Sequence, residues 1–167
     1  MQKITTFLWF DHQAEEAAEF YVSVFRARRD SHGGGGESEI LDVSRYTEAG
    51  PGEPGTVLTV SFRLDGQEFI ALNGGPEFPF TEAISLSVDC GTQAEVDQLW
   101  DALTEGGEES MCGWLKDRYG LSWQINPRRL GELLSDPDPE RAQRAMRAML
   151  QMKKIEIAEL ERAAEAA

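Results

Sequence analysis

Hydrophobic and polar positions follow two periods along this chain, and the same succession of periods occurs twice. Residues Ile4 to Phe10 are apolar and β-prone, which predicts a strand. Asp11 then stands as a cap for a helix whose apolar positions, Ala14, Ala17, Ala18, Phe20, Tyr21, Val24 and Phe25, recur three and four apart on one face. Three strand candidates follow: Ile40 to Thr47, Thr56 to Leu64 and Gln67 to Asn73. The middle one alternates, with Leu58, Val60, Phe62 and Leu64 on one side and Val57, Thr59, Ser61 and Arg63 on the other. Asp65-Gly66 is a two-residue hairpin signal, and the Gly- and Pro-rich stretch Glu48 to Gly55 interrupts pairing before it.

After Gly74-Gly75-Pro76 and a spacer to Pro79 the plan starts again. Ala83 to Val88 predicts a strand. Thr92-Gln93-Ala94-Glu95 has the spacing of a capping box, in which the hydroxyl and the carboxylate satisfy free N–H groups at a helix start. That helix carries Val96, Leu99, Trp100 and Leu103 on one face and ends at Gly106-Gly107. Short strands are expected near Glu109 to Cys112, Trp114 to Asp117 and Ser122 to Asn126. Each half therefore reads as βαβββ, a repeat carried by element order more than by identity. Gly66 precedes Phe69 as Gly120 precedes Trp123. The tail departs from the repeat. Asp136-Pro137-Asp138-Pro139 signals a helix start, and a helix is expected from there to about the C-terminus. Its apolar residues, Met146 through Leu160, span a wide face that must pack on the domain or on a second subunit. The expected organisation is one domain over 1–135, made of halves at about 1–76 and 80–128, followed by a helical extension over 136–167.

Composition narrows the partners. Sixteen basic against 30 acidic residues leave a net charge of −14, which repels phosphate backbones and anionic lipid, so neither nucleic acid nor membrane is expected as a partner. No apolar run reaches the length of a membrane span, and the first residues lack a signal-type apolar stretch, so a cytoplasmic location is expected. The two cysteines, Cys90 and Cys112, read as free thiols in such a compartment. Gly33 to Gly36 is not a phosphate loop, because a strand rather than a helix follows and Glu37 and Glu39 would repel an anion.

The order of elements, together with Phe7-Leu8-Trp9-Phe10-Asp11, Ala14 to Ala17, Phe20 to Phe25, Gly66 to Pro76, Ala83 to Val88, Cys112 to Pro127 and Met149 to Leu160, resembles the PhnB-like branch of the vicinal-oxygen-chelate superfamily. That superfamily includes glyoxalase I, extradiol dioxygenases and bleomycin- and fosfomycin-resistance proteins. The resemblance implies an α+β fold of two βαβββ repeats forming a cupped mixed sheet, with a C-terminal helix added. It implies a homodimer. Members of this branch often carry the label 3-demethylubiquinone-9 3-methyltransferase. The common S-adenosylmethionine fold needs a Gly-rich turn between a strand and a helix start, and this chain has no such unit.

The resemblance also implies a divalent metal held by His, Glu or Gln on the first and last strands of each half. Those positions project onto Ile4, Ala83, Ile70 (or Ala71) and Gln124. Only Gln124 could ligate, and one neutral amide does not hold a divalent ion. The two histidines, His12 and His32, lie off the cup strands, His12 at a helix start and His32 beside the glycine run. No metal and no cofactor are therefore expected.

Aromatic residues are better candidates for function. Pockets are mostly apolar with a few placed polar groups. Trp9, Phe78, Trp114 and Tyr119, with Asn73 and Gln124 as the polar groups, are the expected ligand-binding set. Strand alternation puts Trp123 and Gln124 on opposite sides, so only one can line the cup; the register that the resemblance implies selects Gln124 and makes Trp123 a core residue. Cys112 and Lys116 are the weaker, reactive candidates: a thiol facing the ammonium across a strand pair would be activated, whereas a small apolar filler beside Trp114 is the plainer role. Lys116-Asp117 reads as a turn pair, and Glu15 and Glu16 as helix-start carboxylates favoured by the dipole. The expected function is binding of a small apolar or aromatic molecule without a catalytic metal. The alternative is a metal-dependent isomerase, lyase or dioxygenase of the superfamily.

Overall fold

In the computed structural model, residues 3–32 and 35–166 are described, so Gly33 and Gly34 of the glycine run, and the side chain of His32, lie outside the description. The chain divides into two compact units, residues 1–80 and 81–167.

The first unit runs β1 (Thr6–Phe10), α1 (Ala14–His32), β2 (Glu39–Arg45), β3 (Val57–Leu64) and β4 (Gln67–Asn73). Its sheet has the order β1-β4-β3-β2, with β1 and β4 parallel and the other pairs antiparallel. The helix lays Ala17, Ala18, Tyr21 and Phe25 on the buried sheet residues Leu8, Val60, Phe62 and Ala71. Tyr21 stacks on Phe62 and Phe62 on Phe69, with ring centroids 6.3 and 5.5 Å apart. Asp65-Gly66 forms the expected hairpin, both residues at positive φ (48° and 84°) between the paired Leu64 and Gln67. The alternation expected along β3 breaks at one place. The register shifts between Ser44/Thr59 and Arg45/Val57, so Leu58 is an extra residue and Val57 joins the buried side with Val60, Phe62 and Leu64.

The second unit contains β5 (Ser85–Cys90), α2 (Gln93–Thr104), β6 (Glu108–Glu109), β7 (Trp114–Lys116), β8 (Ser122–Pro127), α3 (Arg128–Leu134), α4 (Pro139–Met149) and α5 (Ile157–Glu165). The sheet order, β5-β8-β7-β6, repeats that of the first unit, with β5 and β8 parallel. The fold is therefore α+β, with a four-stranded mixed sheet in each unit and the same βαβββ order repeated in both. Thr92 caps α2 by accepting from the Glu95 N–H at 3.2 Å, while the Glu95 carboxylate takes the Gly91 N–H at 2.5 Å. Val96, Leu99, Trp100 and Leu103 pack under the sheet against Val88, Leu115, Trp123 and Ile125.

Three expectations are corrected. The cap of α1 is not Asp11: the Ala14 N–H donates 2.9 Å to Oδ1 of Asn73, 59 residues away, at the end of the neighbouring strand. The strand expected over Glu109 to Cys112 is only Glu108–Glu109, because the chain turns at Met111 to Gly113, with Cys112 and Gly113 both at positive φ. The tail is not one helix. Asp138 caps α4 as expected, with Pro139 in its first turn, but the chain leaves the helix at Leu150 and re-enters one at Ile157. Between them the Met152 and Lys153 carbonyls accept from the Cys112 and Gly113 N–H groups, each at 2.7 Å. The broken helix buries Met152 and Ile155 with Leu130, Leu133, Ala145, Leu160 and Ala164 in a small core of its own. A continuous helix would have pointed the wide apolar set in several directions at once. The sequence reading also passed over α3, whose Gly131 and lack of a side-chain cap left little signal.

Candidate functional site

Strand alternation gives the second sheet one apolar and one polar face. Val88, Cys90, Trp123 and Ile125 face α2 and are buried. The opposite face carries Ser85, Ser87 and Asp89 on β5 against Gln124 and Asn126 on β8 and Arg128 just after it. These six form a ladder across the parallel pair. Gln124 Nε2 donates to Ser85 Oγ at 2.9 Å, Asn126 Nδ2 to Ser87 Oγ at 2.9 Å, and Arg128 Nε to Asp89 Oδ2 at 2.5 Å. The Asp89 carboxylate holds the Arg128 guanidinium above the ordinary arginine value. An open cleft of about 660 Å³ lies over this ladder. Its floor is Ser87, Asp89, Gln124 and Asn126, and its sides include Cys112, Trp114, Leu130, Leu134 and Met149. Trp114 sits directly opposite Gln124 in the β7–β8 pair.

The cleft thus gathers three of the residues singled out from the sequence, Cys112, Trp114 and Gln124. It adds Ser87, Asn126, Asp89 and Arg128, which the sequence reading did not select. The signal was there: 85, 87 and 89 are each 39 residues from 124, 126 and 128, so equal spacing joins every polar pair.

The other selected residues stand elsewhere. Tyr119 lies in the turn between β7 and β8, half-buried. That turn is organised by Asp117, which is 3% exposed: Oδ1 accepts from the Tyr119 and Leu121 N–H groups at 2.9 and 3.1 Å, and Oδ2 from the Trp123 indole at 2.8 Å. Trp123 is a core residue, on the side that the register implied by the resemblance gives it. Lys116 pairs in the sheet with Glu108 and Ser122, and its ammonium meets Glu82 at 2.5 Å. The hydrogen bond to Glu82 raises the lysine and lowers the carboxyl. Cys112 is in the β6–β7 turn rather than on a strand facing Lys116, so the activating geometry considered from the sequence is not formed.

In the first unit, Trp9 donates its indole N–H to the Gly75 carbonyl at 2.8 Å and meets Phe78 edge-on at 4.9 Å. Gly74 lies so close to the indole that a Cβ there would fall 2.2 Å from a ring carbon. Asn73 has both ends engaged: Oδ1 caps α1, and Nδ2 donates to the Val57 carbonyl at 3.1 Å. It borders a separate cleft of about 610 Å³ that also reaches Asp11, His12, Glu15, Arg45 and Tyr46. His12 is 76% exposed beside Asp11.

The register also bears on the metal positions. Phe7 stands opposite Ile70 and Ser87 opposite Gln124. Ile4 and Ala83, the positions projected from the sequence, precede their strands, and Ile4 is 86% exposed. At the equivalent places the two sheets differ in kind: Phe7, Trp9, Ile70 and Leu72 in the first unit, Ser87, Asp89, Gln124 and Asn126 in the second. The side chains of Phe7 and Ile70 carry no donor atom, and one amide, two hydroxyls and a carboxylate tied to Arg128 do not make the set of His, Glu or Gln side chains that such a metal requires. Among the described residues, no three His, Cys, Asp or Glu side chains cluster as a metal site would need. The residues present do not fit the superfamily's metal.

The family profile described as 3-demethylubiquinone-9 3-methyltransferase matches residues 2–126. A Bacillus cereus structure described as a 3-demethylubiquinone-9 3-methyltransferase, PhnB protein, is 42% identical, with TM-score 0.64, over 75% of this chain and 99% of its own. A protein from Pseudomonas aeruginosa is 20% identical with TM-score 0.58, over 76% of this chain and 98% of its own. The Listeria monocytogenes fosfomycin resistance protein FosX, as a mutant complexed with Mn(II) and 1S,2S-dihydroxypropylphosphonic acid, is 13% identical with TM-score 0.51, over 75% of this chain and 93% of its own. These last two likenesses are of fold alone. No curated protein matches the sequence.

Proposed function

Because this chain belongs to the 3-demethylubiquinone-9 3-methyltransferase family, in the PhnB-like branch of the vicinal-oxygen-chelate superfamily, we propose that it binds a small molecule in the second unit's cleft without a catalytic metal. The ligand has an apolar or aromatic body and a hydrogen-bonding edge. The observation that carries this reading is the cleft's division of labour. Gln124, Asn126 and Ser87 offer amide and hydroxyl groups on the floor, and Trp114, Leu130, Leu134 and Met149 offer apolar sides. Amides and hydroxyls bonded to each other across a strand pair exchange those bonds for ligand bonds at modest cost.

The family's methyltransferase label is not carried over as an activity. In both units the strand-to-helix turn before the first helix lacks the glycine-rich phosphate cradle: it is Asp11 to Gln13 in one and Gly91-Thr92 in the other. Nor is either sheet the doubly wound parallel kind that holds S-adenosylmethionine in the common fold. The metal-dependent isomerase, lyase or dioxygenase reading rests on superfamily membership, and the donor set at Phe7, Ile70, Ser87 and Gln124 opposes it. The chain is read as a cytoplasmic homodimer whose two units act as one domain followed by the helical extension. Among the described residues no helix is long and apolar enough to cross a membrane.

The test is a ligand-observed NMR screen with neutral aromatic amides and phenols. Binders are expected, and Gln124→Ala and Trp114→Ala should each weaken them about tenfold, the size of one lost hydrogen bond or ring contact. Binders indifferent to both substitutions would place the ligand site elsewhere and overturn the reading.

A further inference from the structure

Trp114 apart, the apolar side of the cleft comes from a different part of the chain than its polar floor. The floor residues lie on β5 and β8, within the span of the family match, which ends at Asn126. Leu130 and Leu134, on α3, and Met149, at the end of α4, lie beyond it. Leu130 is buried, while Leu134 and Met149 are half-buried. These side chains are held in place from behind. Leu133 and Ala145 belong to the separate core formed with α5, and Arg129 pairs with Glu161 at 2.7 Å. Gln93 ties the segment to α2 by donating to the Ile155 carbonyl at 3.0 Å and accepting from the Ile157 N–H at 2.8 Å. Leu130, Leu134 and Met149 are therefore firmly mounted, yet they form none of the strand pairs that make the sheet.

We propose, resting on the cleft reading above, that residues 128–149 determine which ligands the cleft accepts. The class is a neutral amphiphile, with an amide-like end on Gln124 and Asn126 and an alkyl or aryl body against Leu134 and Met149. Neutrality follows from the charges present. Asp89 and Arg128 cancel each other at the cleft, Glu132 at its edge shares the single cation of Arg129 with Glu161, and the chain carries −14 in all. An anionic ligand would meet a repulsive field without a free cation among the lining residues. Length selection follows from position. The body of a ligand seated on the amides extends toward Leu134 and Met149, where added volume is either buried or excluded.

The probe is a series of N-alkylbenzamides, from methyl to octyl, titrated by calorimetry into the full chain. For the wild type, affinity should rise with alkyl length and then stop rising where the side is reached. Leu134→Trp should weaken the longest members at least tenfold and leave the methyl compound within about twofold. Met149→Ala, a cavity-forming change in a half-buried residue, should move the cut-off to longer chains. Gln124→Ala should weaken every member by a similar factor. If Gln124→Ala acts as expected but both α3/α4 substitutions leave the length dependence unchanged, the inference is overturned and the cleft reading stands. If no member binds the wild type, the cleft reading fails and the inference with it.

Discussion

Single residues hold this fold at points that sequence distance conceals. Asn73 closes β4 and caps α1 with the same side chain, and the Tyr46 hydroxyl donates to its carbonyl at 2.7 Å. Asn73→Ala should therefore cost about 1–2 kcal/mol of stability, the usual penalty for a lost helix cap, measured by urea unfolding. Asp117 has three N–H donors and is buried. Trp123→Phe keeps an aromatic ring in the core but removes one of those donors from the carboxylate. It should cost about 1–3 kcal/mol, more than a Phe-for-Trp change at a site with no buried carboxylate. A loss below about half a kcal/mol would mean that the indole–Asp117 bond contributes nothing net. Alternation set Trp123 and Gln124 on opposite faces, and the register implied by the family resemblance turned Trp123 to the core. It did not reveal the role of Asn73, because a cap supplied from 59 residues away leaves no local pattern.

At the scale of elements, strands and the two main helices were legible because their periods are set by packing on one sheet face. Ends and breaks were less so. The bulge at Leu58 and the turn at Cys112-Gly113 depend on partners in other strands. The interruption at 150–156 depends on carbonyls finding the Cys112 and Gly113 N–H groups. That docked segment is fastened by Lys154 on Asp97 at 2.6 Å and Lys153 on Glu109 at 3.3 Å. Burial alone would raise the Asp97 carboxyl, but the hydrogen bonds from Lys154 and Gln93 outweigh it and hold it below the ordinary aspartate range. The Trp100 indole and Lys153 lower Glu109 in the same way. Carboxyls lowered in the folded state stabilise above their unfolded pKa, and that contribution is lost as pH falls through the folded value. Docking should be at full strength at neutral pH and weaken below about pH 4. Hydrogen exchange at the Cys112 and Gly113 amides should accelerate there before the amides of β8 do. Simultaneous loss would mean that the segment and the sheet open together.

For the whole molecule, element order carried the fold, since two βαβββ units with the same strand order follow from two rounds of the same periodicity. The site was legible only in part. Trp114 and Gln124 were recognisable as an aromatic and an amide on facing strands, and the cleft does bring them together with Cys112. Ser87, Asn126 and Arg128 were not singled out, because a ladder across a parallel pair links residues 39 apart and neither strand alone looks unusual. The contrast between the two sheets, apolar at Phe7, Trp9, Ile70 and Leu72 and polar at Ser87, Asp89, Gln124 and Asn126, likewise emerges only when both registers are laid side by side. Phe7 is 58% exposed and Phe78 64% in the single chain. Apolar surface of this kind fits pairing of two copies, so sedimentation at micromolar concentration should give twice the chain mass, and a monomer there would contradict the proposed homodimer.

The central claim is a small-molecule cleft that works without a metal. Native mass spectrometry of gently purified protein, with metal analysis of the same sample, tests it most directly. The account predicts a dimer without stoichiometric metal, and any retained small molecule should be neutral and lost from the Gln124→Ala, Asn126→Ala double variant. Iron, manganese, nickel or zinc at one per chain would contradict it and make a metal-dependent enzyme the better reading.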